Sequence, residues 1–198
     1  MQLIASARNN RGFTLVELMV TVALAAMLAA LAMPAFRVWI ANSKVRGAAE
    51  SVTSQLRLAQ AEAVKRYRRV VLYRAAATDC VTAPNASGSG NYWVIKTLPL
   101  YTGDQVALVQ CGNFADTAGD VTVNGPAAVC LGTNGWPMAV ADPGIGGTAC
   151  TLPGNVITYT VSKPGVADRS LQVSLAIGGQ VRMCDATKIY STANPDGC

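Results

Sequence analysis

The first third of the chain changes from one hydrophobic pattern to another. Residues 18–36 contain no formal charge, and a helix of this length is about 28 Å long, close to the hydrocarbon thickness of a bilayer. Further along, apolar residues recur every three or four positions, with polar residues between them. The pattern predicts one long helix that is apolar all round in its first half and amphipathic in its second half. Its predicted buried positions are Val45, Ala48 or Ala49, Val52, Leu56, Ala59 and Ala63.

Beyond residue 68 the pattern becomes that of short strands. Turn-rich segments such as APNASGSGN, TAGDVTVNGP and DPGIGGTAC separate these stretches. Because the strands follow a single helix, we predict an α+β fold in which an antiparallel sheet packs on the amphipathic half of the helix. The stretches typical of strands are RRVVLYR, NYWVIKT, QVALVQC, VITYTV and SLQVSLAI.

The start of the chain has three interpretations. It can be a signal peptide cut near residues 30–32, although the apolar run continues past that point into a helical pattern. It can be a plain signal anchor, whose length and basic flank fit the positive-inside rule. Neither explains Glu17, because a carboxylate at the middle of a bilayer costs about 2.5–3.5 kcal/mol and such residues usually have a partner.

The third interpretation explains Glu17. If a basic leader ends at Gly12, cleavage makes Phe13 the new amino terminus, about one helical turn from Glu17. In a stack of helices, the carboxylate of one subunit can then pair with the terminal amine of its neighbour and fix their register. The predicted segments are a leader at 1–12, a transmembrane and assembly helix at 13–36, an amphipathic helix at 37–67 and a β-rich globular head at 68–198.

The net charge and the cysteines give information about the partners and the environment of the head. Sixteen Lys and Arg against eleven Asp and Glu give a net charge of +5, which is not by itself a nucleic-acid signature. All six cysteines follow the apolar run, and an even number beyond a membrane segment indicates an oxidising compartment. Sequence alone leaves their pairing open. Our hypothesis joins nearest neighbours: Cys80–Cys111, Cys130–Cys150 and Cys184–Cys198.

A group of cations lies where the helix is predicted to end. One interpretation is a contact surface for acidic partners or nucleic acid. The favoured one is a solvated helix end, where cations also complement the helix dipole. The group consists of Arg57, Lys65, Arg66, Arg68, Arg69 and Arg74.

The sequence offers no catalytic constellation. The chain has no histidine, which excludes the usual Ser-His-Asp and Cys-His arrangements, and it has neither GxxxxGK[ST] nor GxGxxG. DPGIGG and TAGD are more typical of turns than of calcium sites. We therefore predict a protein that is not an enzyme and has no cofactor and no metal site.

The stretch GFTLVEL, the apolar run behind it and Pro34 resemble the class III signal of type IV pilins and type II secretion pseudopilins. The resemblance implies that a prepilin peptidase cuts between Gly12 and Phe13 and that Phe13 is N-methylated. It also implies that Glu17 and Pro34 serve assembly through contacts between amino-terminal helices of neighbouring pilins.

Two further motifs are similar to those of the GspH/FimT group, which contains minor pilins and the H-type pseudopilin. Near the carboxyl terminus this group often has a strand ending in G-R-x-R before a cysteine. Residues 179–184 read GQVRMC, so Gln180 replaces the first arginine. The helix-end motif L-x-x-A-x-x-E-A-V-x-R is met by Leu56, Ala59, Glu62, Ala63, Val64 and Arg66.

In FimT-type pilins the G-R-x-R strand is implicated in DNA binding during natural transformation. Here the resemblance carries over to Arg182 alone, with Lys188 and Arg169 as further candidates. Asp185 and Asp196 dilute this patch, so DNA is a weaker expectation than assembly.

The resulting prediction is a FimU- or FimT-like minor type IV pilin. It is expected in the inner membrane with its head in the periplasm, and afterwards in the pilus, where it assembles or primes the filament for twitching motility or DNA uptake. One alternative is an H-type pseudopilin of the type II secretion system. The other is a DNA-binding pilin for natural transformation. The predicted disulfide loop that ends at Cys198 favours the pilus.

Overall fold

The fold comes from a computed structural model, which describes residues 13–76, 85–101, 103–104, 106–114, 120–146, 148–167 and 169–198. The predicted leader with Gly12, and also Cys80, lie outside these residues. The chain forms two compact units, Met1–Arg37 and Val38–Cys198.

One helix, α1, runs from Leu15 to Arg66. Its amphipathic part buries one face, made of the predicted positions together with Ala41. The helix ends in the hydrogen-bond pattern of a Schellman motif, in which Arg68 N donates to Ala63 O and Tyr67 N donates to Val64 O. Tyr67 has a φ of 53°, in the left-handed region that glycine usually occupies at this position.

In the described ranges, nine strands follow the helix and form two antiparallel sheets. The five-stranded sheet has the order β3-β2-β1-β5-β6, and the four-stranded sheet has the order β4-β7-β8-β9. The predicted α+β class with an antiparallel head is confirmed, and its strands divide between two sheets. The strands are β1 Val70–Ala75, β2 Tyr92–Thr97, β3 Leu108–Asn113, β4 Thr122–Asn124, β5 Ala128–Leu131, β6 Pro137–Met138, β7 Val156–Ser162, β8 Leu171–Ala176 and β9 Val181–Asp185.

The main core lies where the buried face of α1 meets both sheets. Leu56 belongs to one cluster of buried side chains with Leu72 and Ile95 of the first sheet and with Val161 and Leu175 of the second. Burial alternates along β7, as expected for a strand with one face on the core and one toward solvent. The helix therefore packs against both sheets at once.

A second apolar cluster covers the other face of the five-stranded sheet. It contains Val71 and Tyr73 of β1, together with the disulfide between Cys130 and Cys150. All six residues of β1 are consequently buried, because neighbouring residues point to opposite faces and both faces are covered. This disulfide joins one of the pairs named in the nearest-neighbour hypothesis.

Candidate functional site

The first turn of α1 holds Glu17, one of the two residues predicted for assembly. Thr14 accepts a hydrogen bond from Glu17 N at its Oγ1, at 3.2 Å, and one from Leu18 N at its carbonyl oxygen, at 3.1 Å. A threonine followed three residues later by glutamate is the spacing of a helix-capping box. The sequence therefore fixes the start of the helix here, and Glu17 lies where the helix dipole favours a negative charge.

The surface around Glu17 is apolar and uncovered. The large side chains of this part of the helix are exposed, from Phe13 (82%) to Phe36 (59%). This is the one helix in the described part of the chain that is long and apolar enough to cross a membrane. Within the same described residues, no cation forms an ion pair with Glu17. A neighbouring helix or lipid can therefore contact the whole circumference, and the carboxylate is available to a partner.

Pro34 lies inside α1. Because proline has no backbone N–H, it cannot donate the helical hydrogen bond to the carbonyl four residues earlier. Its predicted role in assembly stays a prediction, as do cleavage before Phe13, methylation of Phe13 and the pairing of Glu17.

The second candidate region is the carboxyl-terminal loop, which the disulfide between Cys184 and Cys198 closes. Backbone hydrogen bonds also hold its end against β9: Asp185 N donates to Asp196 O at 2.7 Å, and Cys198 N donates to Asp185 O at 3.3 Å. The loop is thus tied covalently and by backbone pairing. Cys111 lies on β3, and its predicted partner Cys80 is outside the described residues.

Asp185 is the buried centre of this loop. Its carboxylate accepts hydrogen bonds from Arg169 Nε and Nη2 at 2.9 and 2.7 Å, and from the backbone N and Oγ1 of Thr187 at 3.0 and 2.6 Å. Burial, the largest single influence, favours the neutral acid. The hydrogen bonds from Thr187 and Arg169 together outweigh it, so the pKa of Asp185 lies below its ordinary value.

The remaining charged groups of the loop also contact one another. Lys188 Nζ lies 2.8 Å from Asp196 Oδ2, and this hydrogen bond lowers the pKa of Asp196. Arg182 stacks on Tyr190, with its guanidinium carbon 5.2 Å from the ring centroid, and its Nη2 donates to Gly197 O at 3.4 Å.

The structure thus brings together the three cations predicted for DNA binding, Arg169, Arg182 and Lys188. Each one contacts the loop itself, and the two carboxylates reduce the formal charge of the cluster to +1. A phosphate would have to compete with these contacts for the same donors. The geometry is that of a brace for the disulfide loop, and DNA binding here stays a prediction.

Because the folded-state pKa of Asp185 is depressed, its stabilising contribution is complete above the unfolded value, near 3.8, and is lost as pH falls through the folded value. We expect Asp185→Asn to lower the free energy of unfolding by about 2 kcal/mol at pH 7, since it weakens a buried charged contact. The difference from wild type should shrink below about pH 4. Thermal unfolding of the full chain in detergent micelles measures both effects.

Asp196→Asn is the matched control, because Asp196 is half exposed and screened by solvent. It should have a much smaller effect at every pH. A loss of stability in Asp185→Asn that does not vary with pH would contradict the proposed electrostatic role.

The cations at the end of the helix do not form one cluster. Arg66 pairs with Glu62 at 2.6 Å, and Arg68 pairs with Asp104. Arg74 lies on β1 with 2% of its surface exposed, so its grouping with surface cations was wrong. It is buried because β1 has strands on both sides and covered faces, which the local sequence does not indicate.

Gln60 is a connecting residue that the sequence analysis missed. Its Nε2 donates to Gly135 O at 3.1 Å and to Gly179 O at 2.7 Å. Gly135 precedes β6 of the first sheet, and Gly179 lies in the turn before β9 of the second sheet. One side chain of α1 therefore links turns of both sheets, and partners this distant in sequence leave no local signal.

The glycine of the predicted G-Q-V-R motif has a structural explanation. Gly179 has a φ of +84°, and a Cβ there would lie 2.9 Å from Trp136 Cδ1 and 3.3 Å from Gln60 Nε2. We expect Gly179→Ala to lower the free energy of unfolding by about 2 kcal/mol, from left-handed strain and crowding. Gly178→Ala is the matched control and should change it by less than about 0.5 kcal/mol, since nothing lies within 4 Å. Equal effects in a chemical denaturation series would refute this explanation.

Comparison with protein-family models matches residues 7–33 to the prokaryotic N-terminal methylation motif. The described part of this match contains Phe13, Glu17 and the apolar start of α1. A comparison with curated protein sequences gave no match.

Solved structures with a similar arrangement include two crystal forms of the type IV minor pilin FimU of Pseudomonas aeruginosa PAO1. The P21 form is 16% identical over 74% of this chain and 92% of that chain, with a TM-score of 0.48. The P65 form is 16% identical over 72% of this chain and 94% of that chain, with a TM-score of 0.45. The minor pseudopilin EpsH from the type 2 secretion system of Vibrio cholerae is 12% identical over 72% of this chain and 97% of that chain, with a TM-score of 0.45.

Because these identities and scores are low, these structures show a similar arrangement and nothing further about this chain. The motif occupies the start of a long apolar helix, and the later part of that helix packs on antiparallel sheets. Residues 7–33 thus carry the prokaryotic N-terminal methylation motif, in a chain whose long helix packs on two antiparallel sheets.

Proposed function

We propose that the chain is a minor type IV pilin of the GspH/FimT group, FimU- or FimT-like, that takes part in assembling or priming a pilus. The observation that supports this most directly is the methylation motif at residues 7–33. It covers a helix start with a carboxylate in the first turn and apolar side chains on every side. The role is structural, and no step of it needs a catalytic group.

Before assembly the chain is anchored in the inner membrane by residues 13–36, with its head in the periplasm. The length and composition of this helix support a single span. The disulfides of the head suit the oxidising periplasm. Prepilin peptidase then removes residues 1–12 and methylates Phe13.

In the filament, the Glu17 carboxylate pairs with the Phe13 amine of a neighbouring subunit. The amine exists only after cleavage, so processing and assembly are coupled chemically. An apolar helix without charged neighbours supports the pair, because a charge in such surroundings is stable only with a partner.

Mass spectrometry of the chain produced with a prepilin peptidase tests the first step. We expect an amino-terminal peptide that begins at Phe13 and carries one added methyl group. A chain cut near residues 30–32 would instead show a signal peptide, and an intact chain would show a plain anchor. Either of these two results would overturn the proposal.

Gene deletion tests the system that the chain serves. Loss of surface pili and twitching motility, with normal protein secretion, supports the minor pilin. Loss of secretion with normal twitching would assign the chain to the H-type pseudopilins instead. The braced loop between Cys184 and Cys198 favours the pilus, because a disulfide-closed carboxyl-terminal loop is a common device of pilins.

A further inference from the structure

Trp136 is an exposed aromatic residue between two open hollows of the head. It lies in the turn between β5 and β6, and 54% of its surface is exposed. One hollow, of about 550 Å³, is lined by Gln60, Lys65 and Gly179 among others. The other, of about 620 Å³, is lined by Arg69 and Thr133 among others. Trp136 and Asn134 belong to both. We call Trp136 and these two hollows the Trp136 platform.

The platform is held firmly although it is exposed. Trp136 N donates to Asn134 Oδ1 at 3.0 Å, and Trp136 O accepts from Gly132 N at 2.8 Å. The indole edge lies so close to Gly179 that no side chain fits there. Gln60 anchors the turns on both sides of the ring. A turn held in this way loses little conformational entropy when the ring that it carries binds a ligand.

The charge of the Trp136 platform indicates which kind of ligand it can bind. Lys65 lines one hollow and Arg69 lines the other, and the described residues of neither hollow include a carboxylate. Lys65 Nζ also lies 3.6 Å from Glu62 Oε1, in an exposed pair that is weak enough for a ligand to compete with it. The groove beside the carboxyl-terminal loop is different, because Asp185 and Asp196 line it. A ligand that meets the platform therefore finds a flat aromatic surface with a cation on each side, which favours an acidic molecule.

We propose that the Trp136 platform binds an acidic polysaccharide of the uronic-acid type. The C–H groups on one face of a sugar ring lie on the negative face of the indole, and carboxylates of the polymer contact Lys65 and Arg69. Single-stranded nucleic acid is less suited, because such sites stack successive bases on several rings. The described lining of both hollows contains a single aromatic ring, that of Trp136.

Fluorescence of the full chain in non-ionic detergent micelles tests the proposal. Trp39→Phe removes the other exposed tryptophan, which leaves buried Trp93 and exposed Trp136. We expect oligogalacturonate to change the Trp136 emission saturably and with an affinity that falls as salt rises, whereas neutral dextran has no effect. The double variant Lys65→Gln, Arg69→Gln keeps the indole and should bind at least tenfold more weakly. Arg57→Gln, whose side chain lines neither hollow, should bind normally.

Calorimetry with Trp136→Ala completes the test, after thermal unfolding has shown that this variant and the double variant are folded. Loss of oligogalacturonate binding is the expected result. Four results would overturn the proposal: no binding by the parent chain, equal binding of dextran, unchanged binding by the double variant, or binding of a single-stranded oligonucleotide without binding of oligogalacturonate.

Discussion

Replacing Glu17 by alanine is expected to leave the chain processed, anchored in the membrane and folded, and to reduce its incorporation into filaments by about two orders of magnitude. The size of this reduction follows from the cost of an unpaired charge in apolar surroundings, which is about 2.5–3.5 kcal/mol. Each factor of ten in an equilibrium corresponds to about 1.4 kcal/mol. Without the carboxylate, the terminal amine of the neighbouring subunit would be such an unpaired charge. The measurement is the ratio of this chain in sheared filaments to that in membranes.

Two further variants separate charge from shape. Glu17→Gln keeps the size and most of the hydrogen-bonding capacity of the side chain, and it should fail nearly as completely as Glu17→Ala if the ion pair is the cause. Glu50→Gln removes a carboxylate from the same helix, where it pairs with Arg46 at the surface, and should be incorporated normally. Wild-type incorporation of Glu17→Gln would show that assembly does not use the charge.

The sequence predicted the helix more completely than the sheets because the helical signal is local. Burial repeats every three or four residues along α1, and the predicted apolar positions are the buried ones. The contact of Glu17 N with Thr14 Oγ1 at the start of the helix is equally local, although the sequence analysis did not predict it. Such features depend on side chains within one or two turns, so a reading of the chain can find them.

Strands β4, β5 and β6 were not predicted, because their existence depends on distant partners, and β9 was expected only from the resemblance to the G-R-x-R strand. TAGDVTVNGP was interpreted as a loop, and it contains the three residues of β4, which pair with β7. The four residues of β5 pair with β1 and are all buried. Segments this short, beside glycine and proline, have no periodicity of their own. The linking role of Gln60 was not predicted for the same reason, because its two acceptors lie far along the chain.

Arg74 shows most clearly what pairing between distant strands adds. It comes soon after several surface cations, yet on β1 it faces the space between the sheets. Its Nε and Nη2 donate to Gly90 O at 3.0 and 2.9 Å, and its Nη2 donates to Val123 O at 2.5 Å. The guanidinium thereby joins β1 of one sheet to β4 of the other. Burial disfavours the charge and lowers the pKa of Arg74, and these hydrogen bonds offset part of the cost of burying it.

Arg74→Met should therefore lower the free energy of unfolding by about 3 kcal/mol, although methionine fills much of the same volume. Two buried carbonyl oxygens lose their donors, at about 1–3 kcal/mol each, and release of the buried charge returns part of this loss. Denaturant unfolding of the full chain in micelles measures the change, with Arg57→Met as the exposed control, expected within about 0.5 kcal/mol of wild type. If Arg74→Met is as stable as wild type, the cost of desolvating the Arg74 charge is at least as large as the stabilisation that its hydrogen bonds provide. In that case packing of α1 alone holds the two sheets together.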